Sequence, residues 1–267
     1  MSAHELILGH HSIHHALINK KRNNLKFIYT VDGLKIFKQN YPFKNEILKN
    51  WVKEFAELSN HDFQVESQKI FKTLKHEYSR IQGGMLLLSK TLPDQTIDEF
   101  LEEQEEQSIG SKKIVIALDQ VTDIHNAAAI LRSSAFFKVS ACVIEGRGTF
   151  GITPSFTRIA SGALEYVKIV KVNSLTSALK KLKDSHFKLI GLSEESQSGL
   201  NNKNYKDAEV DLCLVLGAED KGISHSVERL LDENLSLQKF NDAPIASLNV
   251  SVAAALALER LTGSIKY

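Results

Sequence analysis

The chain has 267 residues, of which 43% are hydrophobic and 24% charged, a composition typical of a water-soluble globular protein with two domains. No apolar run approaches the ~20 residues of a membrane span, and the start resembles neither a signal peptide nor a mitochondrial presequence. A net charge of +1 conceals a basic first part, an acidic connector and a nearly neutral remainder. Cys142 and Cys213 lie in apolar runs, which predicts buried reduced thiols and a cytoplasmic protein.

Residues 1–90 alternate short strands and helices and predict a small α/β sandwich. KFIYT, FQVES and GGMLLLS predict strands, the last entered through two glycines. Between the first two, NEILKNWVKEFAEL predicts a helix whose apolar face comprises Ile47, Leu48, Trp51, Phe55 and Leu58. This part carries 14 Lys and Arg against 8 Asp and Glu. The excess is compatible with a nucleic-acid-facing domain and equally with a solvated surface.

Four histidines stand near the start, in the stretch GHHSIHHAL. His10 and His14 are four residues apart, as are His11 and His15, and on a helix this spacing sets imidazoles side by side as in zinc-binding helices. A zinc site needs three or four ligands, but the first 140 residues contain no cysteine and the nearest acid is Glu5. We therefore predict no metal. The histidines face either RNA or solvent on the outside of a first helix.

The segment 91–112 is strongly acidic and predicts a linker that contains one helix. From Lys113 the pattern becomes regular, with apolar strand candidates KIVIAL, SACVIE, YVKIVKV, FKLIGLS and LCLVLG. Helical segments separate most of them. This alternation predicts a parallel sheet covered by helices on both faces, in a second domain at 113–267.

A glycine-rich loop, GRGTFG, follows the strand SACVIE and has the G-x-G-x-x-G spacing of dinucleotide-binding turns. That turn normally follows the first strand of a domain and leads directly into a helix. Here ITPS intervenes, and Pro154 has the character of the first residue of the next helix. The match is weak, and a nicotinamide enzyme is a competing hypothesis.

Three stretches of the second domain carry more information. LDQVTDIHNAAAILRSSAFF predicts a helix with Asn126 at its start and Arg132 six residues on. In LVLGAEDKGIS an apolar strand leads into Gly217, Glu219 and Gly222. IASLNVSVAAALALERL is a tight turn followed by a strongly apolar helix. Singly, their polar residues are also ordinary caps and turn residues.

Together these stretches resemble the three signature motifs of the SpoU/TrmH family, RNA ribose 2′-O-methyltransferases of the knotted SPOUT superfamily. The second family motif reads close to L-V-x-G-x-E-x-x-G-[IL]-S and the third close to S-L-N-V-S-V-A-x-A. Residues 215–224 and 247–255 match them almost throughout, and 157–172 match a further family element. The opening G-x-x-x-[VI]-x-x-A-L of the small domain often found ahead fits Gly9, Ile13, Ala16 and Leu17.

The resemblance implies a trefoil-knotted α/β methyltransferase domain at 113–267, preceded by a small substrate-binding domain at 1–90. It further implies S-adenosylmethionine (SAM) as cofactor, RNA as substrate, a homodimer and no metal. The residues it assigns to cofactor contacts are Gly217, Leu237, Leu248, Leu216 and Asn249. The residues it assigns to the catalytic site are Arg132, Asn126, Glu219, Ser247 and Asn249.

These residues suit such chemistry physically. Adenine is best held between apolar side chains at the carboxyl ends of parallel strands, and Gly217 would let a ligand approach one such end closely. A guanidinium with a pKa above ~12 has no lone pair at neutral pH, so we expect Arg132 to clamp a phosphate and orient the 2′-oxygen instead of acting as a base.

The chain departs from the family pattern at three places. Ile124 replaces a proline, Ala128 a glycine and Gln238 a second proline. Ribosomal RNA is the leading substrate because of the extended basic N-terminal domain. A transfer RNA methyltransferase and an RNA-binding paralogue without turnover are the alternatives.

Overall fold

The computed structural model describes residues 4–42, 52–106, 112–146, 150–194, 196, 198–200, 205, 210–238, 244–245 and 247–263. These residues form two compact units. The first comprises the described residues up to Pro93 together with Gly151–Glu165, and the second comprises the described residues of Asp94–Phe150 and from Tyr166 onwards. The division differs from the predicted one in two places, since 151–165 lies in the first unit and most of the predicted linker lies in the second.

Both units alternate strands and helices. The strands are β1 His4–Leu8, β2 Asn24–Tyr29, β3 Val52–Glu57, β4 Met85–Lys90, β5 Ile114–Leu118, β6 Ala141–Glu145, β7 Lys168–Val172, β8 Lys188–Leu192, β9 Leu212–Leu216 and β10 Glu233–Leu235. The helices are α1 His10–Ile18, α2 Val31–Asn40, α3 Asn60–Thr73, α4 Ile97–Glu106, α5 Ile124–Phe136, α6 Pro154–Ala160, α7 Leu175–Asp184, α8 His225–Glu228 and α9 Val250–Thr262, with a 3₁₀ turn at Ala163–Glu165.

The first unit is built on a four-stranded sheet in the order β1-β4-β2-β3. β4 pairs antiparallel with β1 and with β2, whereas β3 pairs parallel with β2. One hydrophobic cluster joins one face of this sheet to α1 and α2, and a second joins the other face to α3. Ile13, Ala16 and Leu17 of α1 are buried in the first cluster, as predicted.

Two predictions for the first unit are wrong. The segment FQVES lies inside α3, because Phe63, Ser67 and Phe71 are buried at helical spacing and Ser59 caps the helix by accepting the Asp62 N–H. Val52–Glu57 forms the edge strand β3 and not part of a helix. Its exposed charged residues are typical of an edge strand. Residues 43–51 of that predicted helix lie outside the described residues.

The second unit is built on a six-stranded sheet in the order β10-β8-β9-β5-β6-β7, and every pairing in it is parallel. The five predicted strands are confirmed, and β10 is an additional short edge strand. On one face α4, α7 and α8 pack in a single hydrophobic cluster with the sheet. The helices α5 and α9 pack against each other. The predicted α/β class with a parallel sheet is therefore confirmed.

The acidic segment is not a free linker. Its helix α4 is predicted correctly, and Thr96 and Glu99 cap it reciprocally, the Thr96 N–H donating to the Glu99 carboxylate over 2.8 Å. Ile97 and Phe100 are buried in the core of the second unit. Asp98, Glu99 and Glu102 therefore lie on the solvent side of a packed helix, and composition alone did not reveal its apolar face.

Cys142 and Cys213 are free and buried, as predicted. Burial raises the pKa of the Cys142 thiol to about 12. Both thiols are therefore protonated core residues with little nucleophilic character. Among the described residues, no helix combines the length and apolarity that crossing a membrane requires.

Candidate active site

The candidate site lies at the carboxyl edge of the second sheet, where β5 and β9 end side by side. Asp119 follows β5 directly, and its N–H donates to the Leu216 carbonyl at the end of β9 over 2.8 Å. Its carboxylate, only 5% exposed, accepts the Ser224 N–H over 2.6 Å. Asp119 thus joins the first motif to the end of the second. Asp119 was not among the predicted site residues, although an acid directly after a buried parallel strand is a pattern that indicates a site at this edge.

The second motif forms a tight turn immediately after β9. Ala218 and Gly222 exchange backbone hydrogen bonds of 3.1 and 2.9 Å, which closes the turn on itself. A Cβ at Gly217 would lie 2.1 Å from the Gly222 carbonyl carbon and 2.4 Å from the Ile223 nitrogen. Glycine is required at 217 because the turn folds back over it. This reason differs from the expected one, which was close approach of a ligand.

This turn brings together three side chains that are far apart in the sequence. The Asn249 side-chain amide donates to Asn126 Oδ1 over 2.9 Å and to Glu219 Oε1 over 2.6 Å. These partners are 123 and 30 residues away from Asn249 along the chain. All three residues were predicted for the site, and the structure places them in one cluster, which we call the amide–carboxylate cluster.

Asn249 is fixed from both ends of its carboxamide. While the nitrogen binds the two partners above, Oδ1 accepts the Ser251 N–H over 2.9 Å and the Ser251 hydroxyl over 2.6 Å. Asn249 is therefore also the N-cap of α9. Asn126 lies in the first turn of its own helix, where its backbone N–H donates to the cap residue Asp123 over 2.8 Å. Two helix starts thus contribute side chains to the cluster, and Asn249 links Asn126 to Glu219.

Arg132 lies on α5 but not in the cluster. Six residues separate it from Asn126, which on a helix means about 9 Å along the axis and about 120° around it. It is exposed and makes no hydrogen bond or ion pair with any other residue that the structure describes. It lies on an exposed stripe of α5 that also includes His125 and Phe136.

The remaining predicted residues lie at or near the same edge. Ser247 is exposed just before the N-cap of α9, and Leu248 is 50% exposed. Leu237 is half-buried just after β10. Leu216 is buried in β9, so a ligand could reach only its backbone, whose carbonyl already accepts the Asp119 N–H.

The three departures from the family pattern leave the local structure intact. Ile124 begins α5 directly after its cap, and Ala128 is fully buried in that helix. Gln238 is exposed, and its side chain lies against Gly199, where an added Cβ would be 3.1 Å away. We find no consequence of Ile124 or Ala128 for the amide–carboxylate cluster.

The two competing sites have little structural support. Pro154 is the first residue of α6 after the cap residue Thr153, as predicted, so GRGTFG does not lead directly into a helix. Residues 147–149 of this loop lie outside the described residues. Among the described residues, no group of three or more His, Cys, Asp or Glu side chains could hold a metal ion.

Comparisons with known proteins agree with this geometry. Residues 113–259 match the model of the SpoU rRNA Methylase family. A protein from Staphylococcus epidermidis named as a TrmH family tRNA/rRNA methyltransferase is 28% identical over 94% of this chain and 92% of its own length.

Solved structures show the same fold at lower identity. The SpoU methyltransferase AviRb from Streptomyces viridochromogenes, solved in complex with AdoMet, superposes with a TM-score of 0.70 at 16% identity, over 98% of this chain and 90% of its own. An RNA 2′-O ribose methyltransferase superposes with a TM-score of 0.69 at 18% identity, over 97% and 88%. The family match spans more than half of the chain, which therefore belongs to the SpoU rRNA Methylase family and is an RNA methyltransferase.

Proposed function

We propose that this enzyme transfers the methyl group of SAM to a ribose 2′-hydroxyl of ribosomal RNA. The observation that carries the proposal is the amide–carboxylate cluster of Asn126, Glu219 and Asn249 at the carboxyl edge of the parallel sheet. In open parallel sheets this edge is where ligands bind. The cluster joins all three motifs of the resemblance at one point.

The residues at this edge fit SAM. Leu248, Ile245 and Leu237 offer exposed or half-exposed apolar surface suited to an adenine ring, beside backbone groups at the ends of β9 and β10. Glu219 supplies an acceptor for ribose hydroxyls, and its position is fixed by the Asn249 amide. When bound, SAM supplies an electrophilic methyl group on a sulfonium.

The chain's own residues orient the acceptor. Arg132 would hold an RNA phosphate through its guanidinium fork, which keeps its proton at neutral pH and so does not act as a base. Asn126 Nδ2 makes no hydrogen bond with other described residues and is placed to donate to the RNA ribose. Holding the 2′-oxygen in line with the methyl group of SAM would account for much of the rate of methyl transfer, because orientation alone can lower a barrier by several kcal/mol.

A homodimer would bring Arg132 of one chain to the amide–carboxylate cluster of the partner chain. Helices α5 and α9, which pack against each other, both expose apolar side chains: Phe136 is 75% exposed, Val252 48% and Leu256 45%. Such a surface is typical of an interface. Arg132 lies on the same exposed stripe as Phe136, about 120° around the helix from Asn126, so we propose that it serves the partner's cluster. We also propose the trefoil knot that the resemblance implies for the C-terminal part, and a cytoplasmic location.

Calorimetry with SAM and transfer of a labelled methyl group to RNA test the proposal. We expect Arg132→Ala to abolish transfer while the affinity for SAM changes less than about twofold, because the guanidinium contacts RNA and not the cofactor. Arg229→Ala is the matched control, an exposed arginine of the same unit. Turnover by Arg132→Ala within a few-fold of wild type would contradict this role of Arg132. A native protein that does not bind SAM would contradict the proposed methyltransferase activity.

Ribosomal and transfer RNA are separated by the same assay. The basic first part of the chain favours ribosomal RNA, with 14 Lys and Arg against 8 Asp and Glu in residues 1–90. Methylation of purified transfer RNA in preference to unmodified ribosomal RNA would overturn that choice. Mapping ribose methylation in RNA from a deletion strain then identifies the nucleotide.

A further inference from the structure

The proposed catalysis does not account for the histidines of α1. Seven of the ten histidines of the chain lie in the first 90 residues, and four of them are within one helix of nine residues. The buried residues of α1 are Ser12, Ile13, Ala16 and Leu17, and the four imidazoles lie outside this set, with His15 against Gly162. We use the term histidine face for His10, His11, His14 and His15 together with Tyr41.

Ring contacts and hydrogen bonds hold the side chains of the histidine face in place. His14 stacks on Tyr41 with ring centroids 4.1 Å apart and an interplanar angle of 16°. The Tyr41 hydroxyl is hydrogen-bonded to His11 Nδ1. His10 Nε2 donates to the Gly83 carbonyl over 3.1 Å, and its ring meets the edge of Phe37. Neighbouring elements thus fix three imidazoles that solvent alone would leave mobile.

The exposed charges on the elements that adjoin the histidine face are mainly positive. Helix α1 has no acid in its first turn, and Lys20 and Lys21 follow it, both exposed. On α2, Lys35 is exposed and Lys38 follows Phe37 directly, whereas Asp32 is the acid of its first turn. From α6, the Arg158 side chain lies against Gly9 at the start of α1.

Two buried carboxylates lie near α1, and both already bind Arg22. Glu165 of the 3₁₀ turn accepts from Arg22 over 2.7 Å, and Glu5 of β1 is ion-paired with the same guanidinium. All three side chains are no more than 5% exposed. Because these side chains are buried, they are not part of the outer surface, which offers cations and rings to a polyanion, although the charge of Glu165 does act on His15.

Burial and mutual repulsion oppose protonation of His14 and His15 in the free protein. Burial lowers the pKa of His14 below its ordinary value, and the charges of His15 and His11 lower it further. Burial likewise lowers the pKa of His15, with a further lowering from His11 and an opposing effect of Glu165. Both are neutral at pH 7. A phosphate placed beside them would oppose the mutual repulsion and favour protonation.

We propose that the histidine face is an RNA-contact surface of the first unit, which binds phosphates and bases more tightly as its imidazoles protonate. Stacked imidazole and phenol rings suit unpaired bases, and imidazolium groups beside lysines suit phosphates. The proposal rests on the proposed function in taking RNA as the partner. It adds where the first unit contacts RNA and how that contact depends on pH.

Fluorescence anisotropy with a labelled single-stranded RNA oligomer at constant ionic strength tests the proposal. For the wild-type protein we expect the Kd to fall about tenfold between about pH 7 and about pH 5, because the pKa of His14 and of His15 is lowered from the ordinary value of about 6.5. In the triple variant His10→Gln, His11→Gln, His14→Gln most of this pH dependence is lost, and His15 accounts for the remainder. The triple variant also alters packing. The single substitution His11→Gln, at an exposed position, must therefore reproduce part of the loss of pH dependence.

His61→Gln is the matched control. His61 is exposed on α3, against the opposite face of the same sheet. Equal losses in His61→Gln and in the triple variant would overturn the proposal, as would a triple variant with wild-type affinity and pH dependence. Binding of an acidic protein with no binding of RNA would also overturn it.

Failure of this proposal is distinguishable from failure of the proposed function. SAM binding and the Arg132→Ala result depend on the second unit and are measured separately. If SAM does not bind but the pH-dependent RNA contact persists, the histidine face stands and the methyl transfer falls. If methyl transfer occurs and RNA affinity does not depend on the histidines, the reverse holds.

Discussion

Replacing Gly217 with alanine should destabilise the second unit at the point where the second motif begins. The added Cβ would lie 2.1, 2.3 and 2.4 Å from three backbone atoms of Gly222 and Ile223. Real Cβ contacts are far longer, and backbone obstacles cannot rotate away as side chains can. Forcing such a group into a packed site costs about 1–3 kcal/mol through displaced backbone. The displaced turn carries Glu219, so we also expect at least a tenfold loss of methyl transfer.

Gly146→Ala is the matched control because Gly146 also directly follows a parallel strand of the same sheet. Its added Cβ would meet only the Val172 carbonyl oxygen, at an ordinary 3.8 Å. Urea unfolding followed by circular dichroism should therefore separate the two variants at unchanged m-value. If Gly217→Ala unfolds at the same midpoint as Gly146→Ala and keeps full activity, the packing role assigned to Gly217 is refuted.

Three further predictions concern the two units. Arg22→Met leaves two buried carboxylates without their cation and should lower the free energy of unfolding in urea by about 3–5 kcal/mol. Lys26→Met is the control, because its ion pair with Glu66 is about 30% exposed, and it should lower that free energy by less than about 1 kcal/mol. Equal losses in the two variants would contradict this prediction. Because His14 has a lowered folded-state pKa, its stabilisation is present above the ordinary pKa of about 6.5 and is lost as the pH falls below it. His14→Gln should flatten the decline of unfolding free energy between about pH 7 and pH 5, and an unchanged slope would refute this. Phe136→Asp should convert a dimer to monomers in light scattering, whereas Val65→Asp should not; a variant that stays dimeric would exclude this surface.

The second unit was predictable because its central strands β5 and β9 are buried on both faces. Runs such as KIVIAL and LCLVLG are apolar almost throughout, which is typical of strands in a parallel sheet, and all five predicted strands match observed ones. The first unit was harder because its elements are only half-buried. Phe63 and Val65 favour a strand locally, but tertiary packing selects the helix that buries Phe63 and Phe71 together.

The three members of the amide–carboxylate cluster were predictable, but their arrangement was not. Motif spelling identified Asn126, Glu219 and Asn249, yet no spacing within the chain indicates that one carboxamide binds both of the others. The same limit applies to Arg132, whose place in the motif suggested a common site. Helical geometry instead places it about 120° around α5 from Asn126, an offset that the motif spelling does not reveal.

Asn249 shows that the structural and functional explanations of the third motif are not alternatives, and one substitution separates them. Asn249→Asp keeps an oxygen to accept the Ser251 N–H, so the cap of α9 persists and the stability should change by less than about 1 kcal/mol. It removes the N–H groups that bind Glu219 and Asn126 and sets two carboxylates 2.6 Å apart. These must share a proton or separate. We therefore expect methyl transfer to fall about 100-fold at neutral pH while the thermal midpoint stays near that of wild type. A variant that is both stable and fully active would show that the cap alone explains the residue.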